Sequence, residues 1–116
     1  MGSRALRIKR VYEAPEPEDG WRVLVDRLWP RGVSKARAAV DLWAKDVAPS
    51  PELRTWWQHD PERFAEFADR YRAELSTNPA IPPLLERIGR EPATTLLFAA
   101  HDPLVNHAAV LRDFLD

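Results

Sequence analysis

A nine-residue run, WRVLVDRLW at positions 21 to 29, constrains the fold more than any other stretch of the chain. Successive side chains of a strand point to opposite faces, and both faces of this run carry apolar residues. That pattern is typical of a central strand covered on both sides. Pro30 and Gly32 then end the run. The run therefore predicts a buried strand in an α/β domain.

Two further runs predict strands, LRIKRVY at 6 to 12 and TTLLFAA at 94 to 100. Helical patterns occupy much of the remaining chain. Ser34 is an expected N-cap for a helix reaching about residue 45, with Ala39, Leu42 and Trp43 on its buried face. Ser50 followed by Pro51 predicts a short helix over 52 to 58. Further helices are expected after Asp60-Pro61, over 82 to 89 and over 104 to 115.

The connections between these elements predict a topology. Eight residues, 13 to 20, separate the first two strands and are too few for a parallel crossover, so that pair is expected to be antiparallel. The helical stretch from 33 to 92 permits a crossover that makes strands 21–29 and 94–100 parallel. We therefore predict an α/β fold, a single domain over 1–116. It has a small mixed sheet of about three strands, with the two central strands parallel, covered by four to five helices.

The composition excludes several classes of protein. The chain has 116 residues and no cysteine, which rules out disulfides, thiolate metal sites and a cysteine nucleophile, and fits a reducing compartment. No run is long enough to cross a bilayer, and no signal peptide is recognisable, so we expect a cytoplasmic protein without membrane partners. The net charge of −1 argues against non-specific DNA binding, although residues 21 to 37 carry five basic residues against Asp26 alone.

The predicted topology also locates a site. Ligands of open α/β sheets usually bind at the carboxyl ends of parallel strands. The loops WPRGVSK and HDPLVNH leave the two central strands at that edge. We therefore expect Arg27, Trp29 and Arg31 to lie near Asn106 and His107.

Arg27 carries the most information, because it shares a face with Val23 and Val25 in a strand that should be buried. A buried guanidinium needs a partner, and Asp26 points to the opposite face. Two partners remain open: a carboxylate from a helix, or an anionic ligand held by the planar donor fork. Arg31 follows in a turn and is a solvated loop charge unless it joins Arg27 around an anion.

The other candidates each have a structural and a functional interpretation. His107 is either a partly buried helix residue or a general acid/base, since histidine titrates near neutral pH. Trp29 either packs or stacks on a planar ligand. Asn106 either orients a ligand or caps a loop. The spacing of His101, Asp102 and His107 matches no familiar metal motif, and no cofactor-binding motif is present, so neither a metal nor a cofactor is predicted.

Four blocks of the sequence resemble a known family: VDRLWPRG at 25–32, APSPELR at 48–54, TLLFAAHD at 95–102 and NHAAVL at 106–111. They resemble the YeaO-like branch of domain-of-unknown-function family 488, in the same order and over essentially the whole chain. The resemblance implies a compact α/β domain and a bacterial cytoplasmic protein, without a settled function. Its pattern points to Asp26, Arg27, Trp29, Arg31, Ser50, Arg54, Asn106 and His107.

A sister branch of that family carries Cys-His-Arg after its last strand. The corresponding positions here are Asn106, His107 and Ala108. The histidine matches and the other two residues do not. Thiol chemistry is therefore out of reach for this chain.

Three functions compete at this point. In the first, Arg27 and Arg31 hold a small anionic ligand, phosphorylated or nucleotide-like, Trp29 walls the pocket, and Asn106 orients the ligand. His107 then acts as general acid/base or hydrogen-bond donor. This hypothesis requires a cavity that reaches His107 and an Arg27 that no carboxylate seals.

The second hypothesis is a nucleic-acid accessory module that uses the basic stretch 21–37. It requires an exposed face shared by Arg22, Arg31, Lys35 and Arg37. The third is a protein-interaction domain in which Trp56 or Trp57 is an exposed anchor.

Overall fold

Within residues 5–116, the part of the chain that this computed structural model describes, four strands form an all-parallel sheet. The first four residues of the predicted domain lie outside that range. The strands are β1 (Ala5–Arg10), β2 (Trp21–Leu24), β3 (Leu42–Trp43) and β4 (Ala93–Phe98). Their order across the sheet is β1-β4-β2-β3, so the last of them lies between the first two.

The predicted parallel pairing of the two central strands is confirmed, with Val23 opposite Leu96. The predicted antiparallel pair is wrong, because β1 and β2 do not contact each other and both pair with β4. Residues 11–20 instead return the chain to the starting edge of the sheet. Ten residues suffice because Arg10 lies opposite Phe98 and Trp21 lies opposite Thr94, so the chain returns by four residues of strand, or about 13 Å at roughly 3.3 Å per residue. The prediction failed because it took neighbours in sequence for neighbours in the sheet.

Five helices are present in residues 5–116: α1 (Lys35–Ala38), α2 (Pro51–Trp57), α3 (Phe64–Ser76), α4 (Ile81–Arg90) and α5 (His107–Leu115). None of them is long and apolar enough to cross a membrane. The prediction of one helix from 35 to 45 is wrong. The helix stops because Ala39 adopts a left-handed conformation with φ of 48°, and the chain then extends into β3. Leu42 and Trp43 are consequently exposed rather than part of the core.

The start of α5 also differs from the prediction. The helix begins at His107 rather than at residue 104, because the Asn106 side chain accepts a hydrogen bond from the Ala109 amide and caps it there. Asp102 instead caps a separate turn, accepting from the amides of Leu104 and Val105.

Apolar side chains cover both faces of the sheet, as the alternation in residues 21–29 predicts. Val23 and Val25 pack on the larger side with Phe67 and Tyr71 of α3. Leu24 points to the opposite side, into a smaller cluster, whose buried members are Val11, Leu24, Ala38 and Leu97. The regular strand has only four residues and ends at Leu24, although the Val25 amide still donates to the Leu97 carbonyl. Residues 26–29 have therefore left strand geometry before the site is reached.

A buried ion-pair network fixes the beginning of β2. The Asp19 carboxylate accepts hydrogen bonds from Arg22 and from Lys9, and all three side chains are 90% or more buried. Arg22 also donates to the carbonyls of Ala38 and Ala39. Removing one partner would leave an uncompensated buried charge, which is costly. Arg22 is therefore an interior residue and does not contribute to an exposed basic face.

Gly20 and Gly32 both adopt positive φ, of 66° and 73°, and offer a matched pair of substitutions. We expect Gly32→Ala to lower the free energy of unfolding by about 1 kcal/mol, because it adds only backbone strain. A Cβ at Gly20 would also overlap the Ala93 carbonyl, whereas nothing lies within 4 Å of a Cβ at Gly32. Gly20→Ala should therefore cost roughly 3 kcal/mol or more. Urea denaturation of both variants measures the difference, and equal losses would contradict the close approach of Gly20 to β4.

Candidate functional site

A cleft of about 510 Å³ opens at the carboxyl ends of β2 and β4. This is the edge at which the sequence predicts a site. Apolar residues and the ring of Trp57 form much of its wall. The polar residues that line it are Asp26, Arg27, Arg54, Thr55, His59 and His107.

Asp26 joins three elements at the floor of this cleft. Its Oδ2 accepts a hydrogen bond of 3.0 Å from the Ala99 amide, just after β4. Its Oδ1 lies 3.2 Å from Nε2 of His107, the first residue of α5. That approach is a close contact without good hydrogen-bond alignment, since the same Nε2 is better aligned with the Val25 carbonyl at 3.1 Å. The two side chains are only 16% and 13% exposed, so the carboxylate and the imidazole are held close in a partly dry setting.

Arg27 lies against the cleft without a carboxylate partner among residues 5–116. Its Nη2 donates to two backbone carbonyls, those of Ala48 at 3.4 Å and Pro49 at 3.2 Å. Its Nε is buried and has no acceptor within the described chain. The protein thus positions this guanidinium through neutral carbonyls, with no carboxylate from residues 5–116 within ion-pair distance.

Arg54 reaches the same cleft from α2. Ser50 caps that helix by accepting a hydrogen bond from the Leu53 amide, as the sequence predicts. Arg54 lies one turn further along, is exposed, and forms no ion pair with any residue from 5 to 116. Two arginines therefore face the cleft against a single carboxylate, that of Asp26.

His59 lines the cleft and was not among the residues predicted from sequence. Gln58 and His59 have positive φ angles of 50° and 56°, which turn the chain back after α2. The imidazole consequently lies 4.8 Å from the Trp57 ring, centroid to centroid. Partial burial lowers the pKa of His59 from 6.5, and the nearby His107 and Arg54 lower it further. Consecutive left-handed residues leave no clear sequence signal, and the His-Asp-Pro order pointed only to a helix cap.

Three of the predicted ligand-binding residues lie outside the cleft. The Trp29 indole donates to the Val33 carbonyl and packs edge-on against Trp43 at 5.5 Å. Arg31 is exposed, and only its carbonyl oxygen is engaged, by the Tyr12 hydroxyl. Asn106 is fully buried as the cap of α5, with its amide group donating to the Asp102 carbonyl. Of the two interpretations that the sequence left open for each residue, all three show the structural one: Trp29 packs, Arg31 is solvated and Asn106 is a cap.

The two alternative functions require a continuous basic face and an exposed tryptophan, and the structure provides neither in full. Arg22 is buried, so the stretch 21–37 does not present all its cations on one face. Trp57 is buried, and Trp56 is half-buried between the guanidinium groups of Arg63 and Arg70. Within residues 5–116, no group of three or more His, Asp or Glu side chains is arranged to hold a metal ion.

The surroundings of His107 determine its tautomer. Both atoms that approach Nε2, the Val25 carbonyl oxygen and Asp26 Oδ1, are hydrogen-bond acceptors. We therefore expect the neutral imidazole to carry its proton on Nε2. Long-range ¹H–¹⁵N NMR correlations at alkaline pH measure this directly. The exposed His101 is the internal control, and a dominant Nδ1–H form of His107 would contradict the geometry.

Comparisons with known proteins identify the family. A family model described as "Inactive DUF488-N3 subclade" matches residues 5–116. The chain is 49% identical over 111 residues to the uncharacterised protein Rv3073c of Mycobacterium tuberculosis, covering 96% of this chain and 93% of that protein. It is 42% identical over 110 residues to the uncharacterised protein YeaO of Escherichia coli, covering 95% and 96%. No solved structure matches. The chain therefore belongs to domain-of-unknown-function family 488 and is YeaO-like.

Proposed function

We propose that the protein binds a small anionic ligand, phosphorylated or nucleotide-like, in the cleft at the carboxyl ends of β2 and β4. The observation that carries the proposal is the Arg27 guanidinium on the cleft wall, which has no ion-pair partner among residues 5–116. Arg54 adds a second cation, and Asp26 is the single acidic side chain in the lining. With both histidines neutral the lining carries a net positive charge, which favours an anion.

The chemistry of Arg27 supports an anion rather than a neutral ligand. A guanidinium that bonds only to backbone carbonyls keeps its full charge and part of its donor fork for another partner. No residue from 5 to 116 accepts a hydrogen bond from its Nη1. An oxyanion placed between Arg27 and Arg54 would supply both the charge and the missing acceptor. The apolar part of the wall would then contact the remainder of the ligand.

We further propose that the ligand is bound without being converted. The matching family model is described as inactive, and the chain has no cysteine to act as a nucleophile. The Nε2 of His107 faces two acceptors, so this nitrogen donates to the protein and is not the basic nitrogen of the neutral ring. In this proposal Asp26 and His107 shape the cleft, and Arg27 and Arg54 provide affinity.

Matched arginine substitutions test the proposal. A thermal-shift screen over phosphorylated metabolites and nucleotides first selects a ligand, and calorimetry then measures its affinity for Arg27→Met, Arg54→Met and Arg31→Met. Methionine keeps much of the aliphatic stem and removes the charge, so all three variants change net charge equally. We expect the first two to weaken binding about tenfold or more, since a charge-assisted hydrogen bond contributes roughly 1.5–3 kcal/mol. Arg31→Met, outside the cleft, should bind like the parent.

Equal losses in all three variants would contradict the cleft as the site, because they would follow net charge rather than position. Losses in Arg27→Met and Arg31→Met with parental affinity in Arg54→Met would favour the basic stretch 21–37 instead. Unchanged affinity in Arg27→Met would overturn the proposal itself. Arg27→Met should cost about 1 kcal/mol of folding stability through its two carbonyl bonds, so affinities are compared well below the melting temperature.

The pKa of His59 offers a second test, because a bound anion favours the protonated imidazole. In the unliganded protein the lowered pKa means that the folded state binds fewer protons than the unfolded state just below pH 6.5. Stability should therefore decrease as pH falls through that window. Saturating sulfate should raise the His59 pKa in an NMR titration, and sulfate affinity should increase as pH falls. An unchanged His59 titration in saturating sulfate, with His101 as reference, would place the anion elsewhere.

A further inference from the structure

A short backbone segment connects the cleft to α3. The carbonyl oxygens of four consecutive residues, 46–49, all accept hydrogen bonds from side chains. The first two accept from the α3 side, through Asn78 and Tyr71, and the last two accept from Arg27. Buried backbone carbonyls without a backbone partner must find another donor, and for the buried residues 47–49 side chains supply it. The acceptors and donors are Asp46 with Asn78, Val47 with Tyr71, and Ala48 and Pro49 with Arg27.

Tyr71 holds this segment from inside the core. Its hydroxyl donates to the Val47 carbonyl at 2.5 Å, and the side chain is fully buried. Burial raises the pKa of Tyr71 far above its ordinary value, and the nearby Glu74 raises it further, so the hydroxyl stays protonated and remains a donor. The ring separately packs 5.6 Å from the Phe67 ring. The hydroxyl and the ring thus make distinct contributions that a substitution can separate.

Glu74, one turn further along α3, holds the next residue of the same segment. Its carboxylate accepts from the Ser50 amide at 2.9 Å and from the Ser50 hydroxyl at 2.6 Å. Ser50 is also the cap of α2, so its place sets the start of the helix that carries Arg54. The positions of both cleft arginines therefore depend on residues 46–50, and the position of that segment depends on side chains of α3.

We infer that Tyr71 and Glu74 are positioning residues of the anion site. They fix segment 46–50, whose carbonyls orient Arg27 and whose last residue, Ser50, sets the start of α2. The expected effect of these two residues on ligand binding rests on the proposed function. The bonds from Arg27 to the segment, at 3.4 and 3.2 Å, are long. Bonds of this length leave little margin, so a small displacement of either carbonyl would break them and free the guanidinium. Releasing the segment would misplace the donor fork, although neither Tyr71 nor Glu74 lines the cleft.

Tyr71→Phe and Glu74→Gln test this inference with two readouts. The first is the Nε–H resonance of Arg27 in the unliganded protein, which reports the guanidinium whether or not any ligand binds. Because this Nε is buried, its proton should exchange slowly with water in the parent. We expect both variants to shift the resonance and to speed its exchange. The second readout is sulfate affinity by calorimetry, which should fall by about tenfold.

Two controls match the chemistry of these changes. Tyr12→Phe also removes a hydroxyl that donates to a carbonyl, that of Arg31, outside the cleft. Glu66→Gln alters a carboxylate on the same helix, where it pairs with the exposed Arg70. Both controls should leave the Arg27 resonance and the sulfate affinity at parental values.

The outcomes separate this inference from the proposed function. If Tyr71→Phe and Glu74→Gln leave the Arg27 Nε–H signal as the controls do, the positioning role is overturned. A shifted signal with weaker sulfate binding supports both the role and the site. A shifted signal in a protein whose parent does not bind sulfate supports the positioning role and counts against the anion site.

Discussion

The parallel insertion of β4 between β1 and β2 is the constraint on which the rest of this molecule depends. Strands β1 and β2 do not pair with each other, and both pair with β4. The same insertion brings the end of β4 to the cleft, where the Ala99 amide binds the Asp26 carboxylate. Asp26 in turn approaches His107 at the start of α5. The sheet, the cleft and the last helix are thus assembled around one strand.

Sequence patterns predicted the centre of this fold better than its edges. The apolar residues on both faces of the run 21–29 were sufficient to identify a central strand, because a strand that is buried on both faces needs apolar side chains at odd and even positions alike. The short edge strand β3 left no such mark, since its two residues also fit a helical pattern and are exposed. The pairing of β1 was mistaken for a different reason. Connection length limits which strands can be parallel neighbours, but it does not report a third strand lying between them.

The candidate site was predictable where regular structure positions a side chain. Arg54 follows a recognisable helix cap, and His107 begins a helix after a predicted strand, so both fall at the expected edge. Beyond Leu24 the chain is irregular, and strand alternation no longer tells which way Trp29 or Arg31 points. His59 reaches the cleft through two left-handed residues, a conformation that ordinary side chains seldom adopt and that sequence seldom reveals. Irregular backbone is therefore what limited the prediction of this site.

The central place of β4 also has a consequence for how the chain is made. A ribosome releases β1 and β2 long before β4, whose first residue is Ala93. Until that strand emerges, the two earlier strands lack their shared partner, and apolar side chains such as Val23 and Leu24 stay uncovered. Contacts between distant parts of a chain slow folding and expose such surfaces to association. The growing chain should therefore be a substrate for chaperones that bind extended apolar segments, and should lose that property once β4 and the α5 helix that packs on the same core have emerged.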